Sequence, residues 1–258
     1  MSNVRFITTK LDVITFSSSG GDDASYPAVN LNTGYHDDLW KSANSTSNQF
    51  IAMDMGADVR KRTGIVLHNH NLNGIAPTGI KLQGAANSGF SSGVVDAVYP
   101  LEPVTDPYFL DFGGAAVKQY WRLLFLGTLG AVPQIGQVFV DEALDLGTTY
   151  SLPNDPGNDE FQVSRSIALD GRIRTSSPFG GRKTFKFSFR DGNALSETVR
   201  VNWQKLFALA GGSLRPVYFI DADDAIYLVH LDFDRDTLFR FRYNMYPLEV
   251  TIKSQRVS

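Results

Sequence analysis

From residue 50 to residue 140 the chain repeats one pattern, a short apolar-rich run followed by a turn cluster, with no stretch of helical period between. Ile51, Met53 and Met55 alternate with their neighbours through residues 50–56, and residues 64–67, 80–84, 119–126 and 135–140 are further compact runs. A period of two sends successive side chains to opposite faces of a strand, so these runs read as strands. The Gly-, Asn- and Asp-rich spacers between them read as turns. Many short strands with such spacers predict an antiparallel sandwich. The 18 Phe and 10 Tyr residues agree, because aromatic side chains favour a half-buried pleated surface. The nearly unbroken apolar run at 119–126 predicts a strand buried on both faces, residues 65–67 a central strand, and Trp40 a plug for one end of the core.

Two of the four histidines fall in His68-Asn69-His70-Asn71, which reads as the loop after the 65–67 strand. Spaced by one residue, His68 and His70 share a face and suit a metal pair. A third ligand is missing, since Asn69 and Asn71 are poor ligands and His36 sits in a distant loop. The favoured reading is that this loop hydrogen-bonds its own backbone. Asp22, Asp23, Asp37 and Asp38 offer oxygens for calcium, but their spacing is not that of an EF-hand, and solvated loop aspartates are the favoured reading. Asp221, Asp223, Asp224, Asp232, Asp234 and Asp236 are numerous enough for a carboxylate hydrolase, yet they occupy turn positions where Asp is favoured for backbone reasons. Gly-x-Ser-x-Gly, a phosphate loop with its Lys and a zinc-protease His-Glu pair are absent. The expectation is a protein that is not an enzyme and holds no metal or cofactor.

With no cysteine, disulfides and thiolate chemistry are excluded. The net charge of −3 gives no reason to expect nucleic acid or an anionic membrane as the main partner. The first residues lack a signal-peptide pattern and no apolar run approaches membrane-spanning length, so a soluble product made in the cytoplasm is expected. The first 150 residues carry an acidic excess and the remainder a small basic one, as two units with different surfaces would. The cluster around Pro153, Pro156 and Gly157 predicts a linker over 151–160, between units at 1–150 and 161–258.

The first unit resembles a discoidin (F5/8 type C, galactose-binding-like) jelly roll. The resemblance covers about residues 10–145 and is carried by Ala28-Val29-Asn30-Leu31, Trp40, Ile51-Ala52-Met53-Asp54-Met55-Gly56, the His68–Asn71 loop, Tyr120-Trp121-Arg122-Leu123 and Ile135-Gly136-Gln137-Val138. It implies glycan or cell-surface contact through loops at one end, with Tyr35, His36, His68 and His70 as candidate ligand contacts.

In the second unit Ile167, Leu169, Gly171 and Ile173 alternate with polar residues, as do Phe185, Phe187 and Phe189. With Pro178-Phe179-Gly180-Gly181 between them, they predict a hairpin with one apolar and one basic face. Leu195, Val199, Trp203, Leu206 and Ala210 recur at three and four, predicting a helix over 194–210 that Gly211-Gly212 stops. Three strands follow, at 216–221, 225–233 and 238–253. A hairpin, one helix and a closing meander, ending in Tyr246-Pro247-Leu248-Glu249-Val250, resemble the tail-tube-like fold of tailed-phage tube and distal tail proteins. That resemblance covers about residues 160–258. It implies a structural protein of a phage tail tip or baseplate, located in the virion, whose second unit forms a homo-oligomeric ring around the tail tube. Its partners are then tube, hub or fibre proteins and a host-surface glycan, with DNA contact only where the ring lumen is a conduit and no membrane contact. Lys186, Arg190, Arg240 and Arg242 are the candidate assembly residues. The rival expectation is a non-viral carbohydrate-binding or adhesion protein whose jelly roll does the work.

Overall fold

The computed structural model describes residues 5–8, 14–33, 37–57, 61–75, 78–92, 94–99, 106–145, 158–160, 164–167, 173–176, 182–189, 197–210, 217–220, 225–232 and 248–254, some of these strands as backbone only. The fold is mainly β, built from antiparallel strand pairs. The chain divides into two compact units, Ile7–Ala143 and Met1–Phe6 with Leu144–Ser258.

Strand β1 (Arg5–Ile7) comes first, and the jelly roll is then built from β2 (Thr15–Ser18), β3 (Trp40–Lys41), β4 (Phe50–Asp54), β5 (Lys61–His70), β6 (Gly79–Ala85), β7 (Val95–Tyr99), β8 (Tyr108–Val117), β9 (Tyr120–Leu126) and β10 (Gln134–Asp141). One sheet has the order β3-β10-β5-β8 and the other β2-β4-β9-β6-β7. The alternation read from sequence sets the facing sides. Ile51 and Met53 of β4, Trp121, Leu123 and Phe125 of β9, and Ile80 and Leu82 of β6 meet Ile65 and Leu67 of β5 and Val138 and Val140 of β10 in one cluster. Trp40 is fully buried in the same cluster, as expected of a core plug.

Two expectations change here. β9 alternates between buried and half-buried residues, so it is covered on one face and not two. Its apolar run misled because Leu124 and Leu126 are apolar residues on the outer face, a common arrangement since much protein surface is apolar. β5 runs through His70, so His68, Asn69 and His70 belong to the strand and only Asn71 lies beyond it. The strand continues because β10 runs alongside it, with His68 opposite Gln137 and His70 opposite Ile135.

The second unit contains β11 (Leu144–Asp145), β12 (Asn158–Glu160), β13 (Ser164–Ile167), β14 (Ile173–Ser176), β15 (Arg182–Phe189), α2 (Glu197–Ala210), β16 (Val217–Ile220), β17 (Ile226–Asp232) and β18 (Leu248–Ser254). The short helix α1 (Leu72–Ile75) lies in the first unit. The seven-stranded sheet has the order β11-β1-β16-β17-β18-β15-β12, so a strand from the N-terminus sits inside it. Phe6 is fully buried, its ring 5.8 Å from Trp203 of α2 and 5.0 Å from Phe219 of β16. The helix buries Trp203, Leu206, Phe207 and Ala210, one stripe at the predicted spacing; residues 194–196 lie outside the described residues.

The expected hairpin is re-paired. β14 pairs with β13, while β15 is flanked by β18 and β12. Alternation names the faces of a strand and not its neighbour, which explains the misreading. Residues 158–160, read as linker, form the edge strand β12. Asn, Asp and Glu carry little strand propensity but suit a short, polar sheet edge.

Candidate functional site

The strand registers sort the jelly-roll connections into two ends. Ser18 pairs with Ile51, Phe50 with Leu124 and Gly79 with Leu126, which sets these residues at one end of their sheet. Lys41 opposite Gln134 and His70 opposite Ile135 mark the matching end of the other sheet. Bonds between connections confirm the grouping. The amide of Ala43 donates to Gly21 O at 3.0 Å, and that of Ser42 donates to Pro133 O at 3.0 Å. Asn71 Nδ2 donates to Val132 O at 2.9 Å, and the Gly130 amide donates to Ile75 O at 2.8 Å. The Asn69 amide, at a residue with φ of 53°, donates to Asp106 Oδ1 at 2.7 Å. Five connections therefore form one surface. At the opposite end Ala143, where the chain leaves the unit, donates its amide to Thr63 Oγ1 at 2.9 Å. The five-connection surface lies at the end of the unit away from this exit.

Asp22 organises its largest loop. Oδ1 accepts from Ser18 Oγ at 2.6 Å and from the Trp40 indole N–H at 2.9 Å, and Oδ2 accepts from the Ala28 amide at 2.9 Å. The reading of Asp22 as a merely solvated aspartate is corrected: both of its oxygens are engaged by protein. Burial works to raise its pKa, but the hydrogen bonds from Ser18, Ala28 and Trp40 outweigh it, and the carboxyl sits below its ordinary value. A depressed folded-state pKa stabilises above the unfolded-state value, and that stability is lost as pH falls through the folded-state value. Asp22→Asn is therefore expected to melt below wild type by an interval that is constant above about pH 5 and shrinks below about pH 4. Asp22→Ala is expected to cost about 1–3 kcal/mol by leaving the buried indole N–H unpaired. Thermal melts from pH 3 to 7 check both, and a pH-independent interval would refute the charge contribution.

A second buried centre lies in the next loop. Gln49 is 2 % exposed, accepts from Ser42 Oγ, and donates through Nε2 to Asn44 O at 2.6 Å and to Asn44 Oδ1. Asn48, at φ 58°, and Gly127, at φ 81°, then join this loop to residues 127–133 through a 3.3 Å bond from the Gly127 amide to Asn48 Oδ1.

On this braced surface Tyr26 is 40 % exposed, with Lys41 Nζ 5.8 Å from its ring centre. Its backbone is held from both sides, the Tyr26 amide donating to Asp23 O at 2.9 Å and its carbonyl accepting from the Lys41 amide at 3.0 Å. The Ser25 amide donates to Asp23 Oδ1 at 2.9 Å, closing the turn. Sequence reasoning passed over Tyr26; the available signal was an aromatic residue between an Asp-Asp turn and Pro27.

The sequence-chosen residues divide. His70 is 9 % exposed, its Nδ1 accepts the Leu72 amide at 3.3 Å, and its ring meets Tyr108 edge-on at 6.5 Å, so it serves the turn into α1. His68 is half-buried at the end of β5. Tyr35 and His36 lie outside the described residues, as do Arg190, Arg240, Arg242 and the side chain of Lys186, whose backbone lies opposite Thr251. Among the described residues, no group of three or more His, Cys, Asp or Glu is placed to hold a metal. Among them, no helix is long and apolar enough to cross a membrane.

The outer face of the five-stranded sheet carries a separate cluster. The Arg122 guanidinium lies 4.3 Å from the Phe90 ring centre and 5.2 Å from that of Phe50, and its Nε donates to Gln83 Oε1 at 2.5 Å. A cation–π contact at a partly exposed position contributes about 0.5–1 kcal/mol. Phe90 has φ of 52°, a left-handed backbone that costs a non-glycine residue about 1 kcal/mol or more.

No protein-family model and no curated protein matches the chain. Several solved structures are similar. The family 32 carbohydrate-binding module of Clostridium perfringens NanJ, in complex with galactose, is 14 % identical over 54 % of this chain and 99 % of its own, with a TM-score of 0.41. Chitosan-binding module 1 of a chitosanase/glucanase from Paenibacillus sp. IK-5 is 18 % identical over 52 % of this chain and 98 % of its own, with a TM-score of 0.41. The lectin domain of lectinolysin, complexed with Lewis b antigen, is 14 % identical over 53 % of this chain and 98 % of its own, with a TM-score of 0.43.

Proposed function

We propose that the chain is a carbohydrate-binding protein whose jelly roll docks a glycan on its five-connection surface, with Tyr26 as the stacking surface and Lys41 and Asp23 beside it. The second unit serves as the carrier. The observation that carries this reading is an exposed ring on a loop whose backbone is fixed by its neighbours. A sugar's apolar face packs on such a ring, and prior fixing of the loop lowers the ordering cost of binding. His68, two residues before the end of β5, is the next contact to test.

The chain topology supports a carrier-and-module arrangement. Phe6 pairs with Leu144 and Arg5 with Asp145, so the jelly roll is inserted between two adjacent strands of the other unit. Insertion needs domain termini that lie close together, as they do here.

Glycan-array screening of the full chain, followed by calorimetry on the best ligand, tests the reading. Tyr26→Ala is expected to weaken binding by about tenfold, or about 1.4 kcal/mol, with an unchanged melting temperature. Full affinity in that variant would move the contact elsewhere, and the absence of saturable binding to any glycan would overturn the proposal.

A second reading places the carrier in a ring at a phage-type tail tip. It rests on helix α2 and the contiguous β16-β17-β18 meander, since the hairpin expected in that element order is not formed. Native mass spectrometry tests it. A closed ring is expected, and a strictly monomeric protein at high concentration would exclude it.

A further inference from the structure

We propose that Asp22 is the positioning residue of the Tyr26 surface, and that its carboxylate must be ionised for that surface to bind a saccharide at full strength. The inference rests on the glycan reading above and adds the regulation of the same site. Three segments meet on this one carboxylate. Ser18 ends β2, Ala28 opens the 3-10 helix Ala28–Asn32, and Trp40 begins β3. Ser18 and Trp40 donate to Oδ1 and the Ala28 amide donates to Oδ2. The Ala28 bond closes residues 23–27 into a loop that carries Tyr26. Pro27 has no N–H, so the Ala28 amide is the first donor after Tyr26, and Asp22 takes it. Trp40 precedes Lys41, whose amide donates to Tyr26 O at 3.0 Å. The same carboxylate therefore fixes the loop that carries the ring and the strand that carries Lys41.

An ionised carboxylate accepts from all three donors and donates to none. Protonation places a hydrogen on one oxygen and removes the charge that strengthens these bonds. Asparagine at this position is the stricter case. With its oxygen toward Trp40, its NH2 group faces the Ala28 amide; turned over, the NH2 group faces the indole N–H. Ala28 and Trp40 are both buried, and a buried N–H that loses its acceptor is costly, so the arrangement that presents Tyr26 is disfavoured. Other bonds oppose release. Asp23 still donates its amide to Lys41 O at 2.9 Å, Tyr26 still donates to Asp23 O, and Asn30 Nδ2 still donates to Leu39 O at 2.8 Å. Ala28 and Leu31 remain anchored in the core. The loop therefore loosens without unfolding, and the loss of affinity is partial.

The titratable and charged groups on the segments around Asp22 are Asp23 and Tyr26 on the loop, Asp37 and Asp38 before β3, and Lys41 on it. β2 and residues 28–32 carry none; His36 lies outside the described residues. Asp23 Oδ1 accepts the Ser25 amide, a bond inside the loop that does not tie it to the core. Asp22 alone of these joins the loop to both β2 and β3 through its side chain. Burial works to raise its pKa, but the bonds from Ser18, Ala28 and Trp40 hold it below its ordinary value, so the change in binding falls at lower pH than for a free aspartate.

The test uses the full chain with lactose and cellobiose, neutral disaccharides that carry no group titrating in acid. Without sugar, the NMR resonances of the Ala28 amide and the Trp40 indole N–H should titrate together, with one midpoint below about pH 4. Calorimetric affinity for the disaccharide that binds should fall about threefold to tenfold through the same midpoint, since apparent affinity scales with the fraction in the binding arrangement. Asp22→Asn is expected to bind about threefold to tenfold more weakly than wild type at neutral pH, and to show no step. Ser18→Ala keeps the charge and removes one donor to it, so both midpoints should move up together. A merely structural role for Asp22 would not couple them, and this variant keeps the test decisive if Asp22→Asn does not fold. A step near about pH 6 would belong to a histidine, and a step retained in Asp22→Asn would belong to Asp23, Asp37 or Asp38. Either result would overturn the proposal, as would an affinity that stays constant while the two resonances titrate. If neither disaccharide binds at neutral pH while the resonances titrate as expected, the glycan reading of Tyr26 fails and the hold of Asp22 on the loop stands.

Discussion

Trp121→Ala is expected to destabilise the jelly roll by about 3–5 kcal/mol, a large part of the roughly 5–15 kcal/mol that holds a typical domain folded. Trp121 is 1 % exposed and sits opposite Met53 on one neighbouring strand and Gly84 on the other. The indole occupies the space that a side chain at position 84 would need: a Cβ there would lie 3.1 Å from both Cη2 and Cζ3. With glycine at 84, the residue directly opposite has no side chain to refill the hole when the ring is removed. The loss is therefore near the upper part of the range for an aromatic truncation, because the cost grows with the cavity that remains. The indole N–H donates to Lys118 O at 3.0 Å, and that bond goes too. Thermal unfolding of the full chain is the measurement. The transition of residues 7–143 should move sharply down, and a shift of only a degree or two would mean that the site collapses around the missing ring.

The parts of this fold that were legible in advance are those fixed by local pattern. Ile51, Met53 and Met55 alternate and are buried; Trp203, Leu206 and Ala210 recur at helical spacing and are buried. Each follows from a periodicity that any strand or helix imposes on the chain. The parts that were not legible depend on which strand lies beside which. Nothing in Arg5-Phe6-Ile7 indicates that its partner is Leu144-Asp145, and nothing in the 182–189 alternation distinguishes β14 from β12 and β18 as neighbours. Pairing is settled by the whole sheet, so a local reading found β15, β16 and β17 but gave β15 the wrong partner, while residues 168–172 and 238–247 of the expected strands lie outside the described residues.

The candidate site divides in the same way. The His68–Asn71 stretch was read as a loop, although β5 runs through His70, and imidazole chemistry drew attention to His70, which is buried and spends Nδ1 on the Leu72 amide. Tyr26 was overlooked because its exposure is a long-range property. Its loop is fixed by the Asp23 amide donating to Lys41 O and by Asp22 reaching Trp40, both contacts across 18 positions of sequence. Arg122 was read as part of a family-like tyrosine-tryptophan-arginine strand; that it lies between Phe50 and Phe90 follows only from the sheet order and the loop that folds back over it.

Phe6→Ala carries the other large expected effect, and its location tests the division of the chain. Residue 6 lies near the N-terminus, where a substitution is ordinarily mild. Here the side chain is fully buried, between the Trp203 ring at 5.8 Å and the Phe219 ring at 5.0 Å, and Trp203 in turn meets Phe207 at 5.6 Å. The aromatic cluster joins α2 to the sheet, and β1 enters that sheet between β11 and β16. Truncating the ring removes the contact that seats the N-terminal strand, at an expected cost of about 3–5 kcal/mol. The loss should fall on the unit formed by residues 1–6 and 144–258, while the transition of residues 7–143 stays in place. Hydrogen exchange resolves the two: amides of β16 and β17 should exchange faster in the variant, and those of β4 and β9 should not. Faster exchange in β4 and β9 with β16 and β17 unaffected would assign the N-terminal strand to the jelly roll and refute the inserted arrangement.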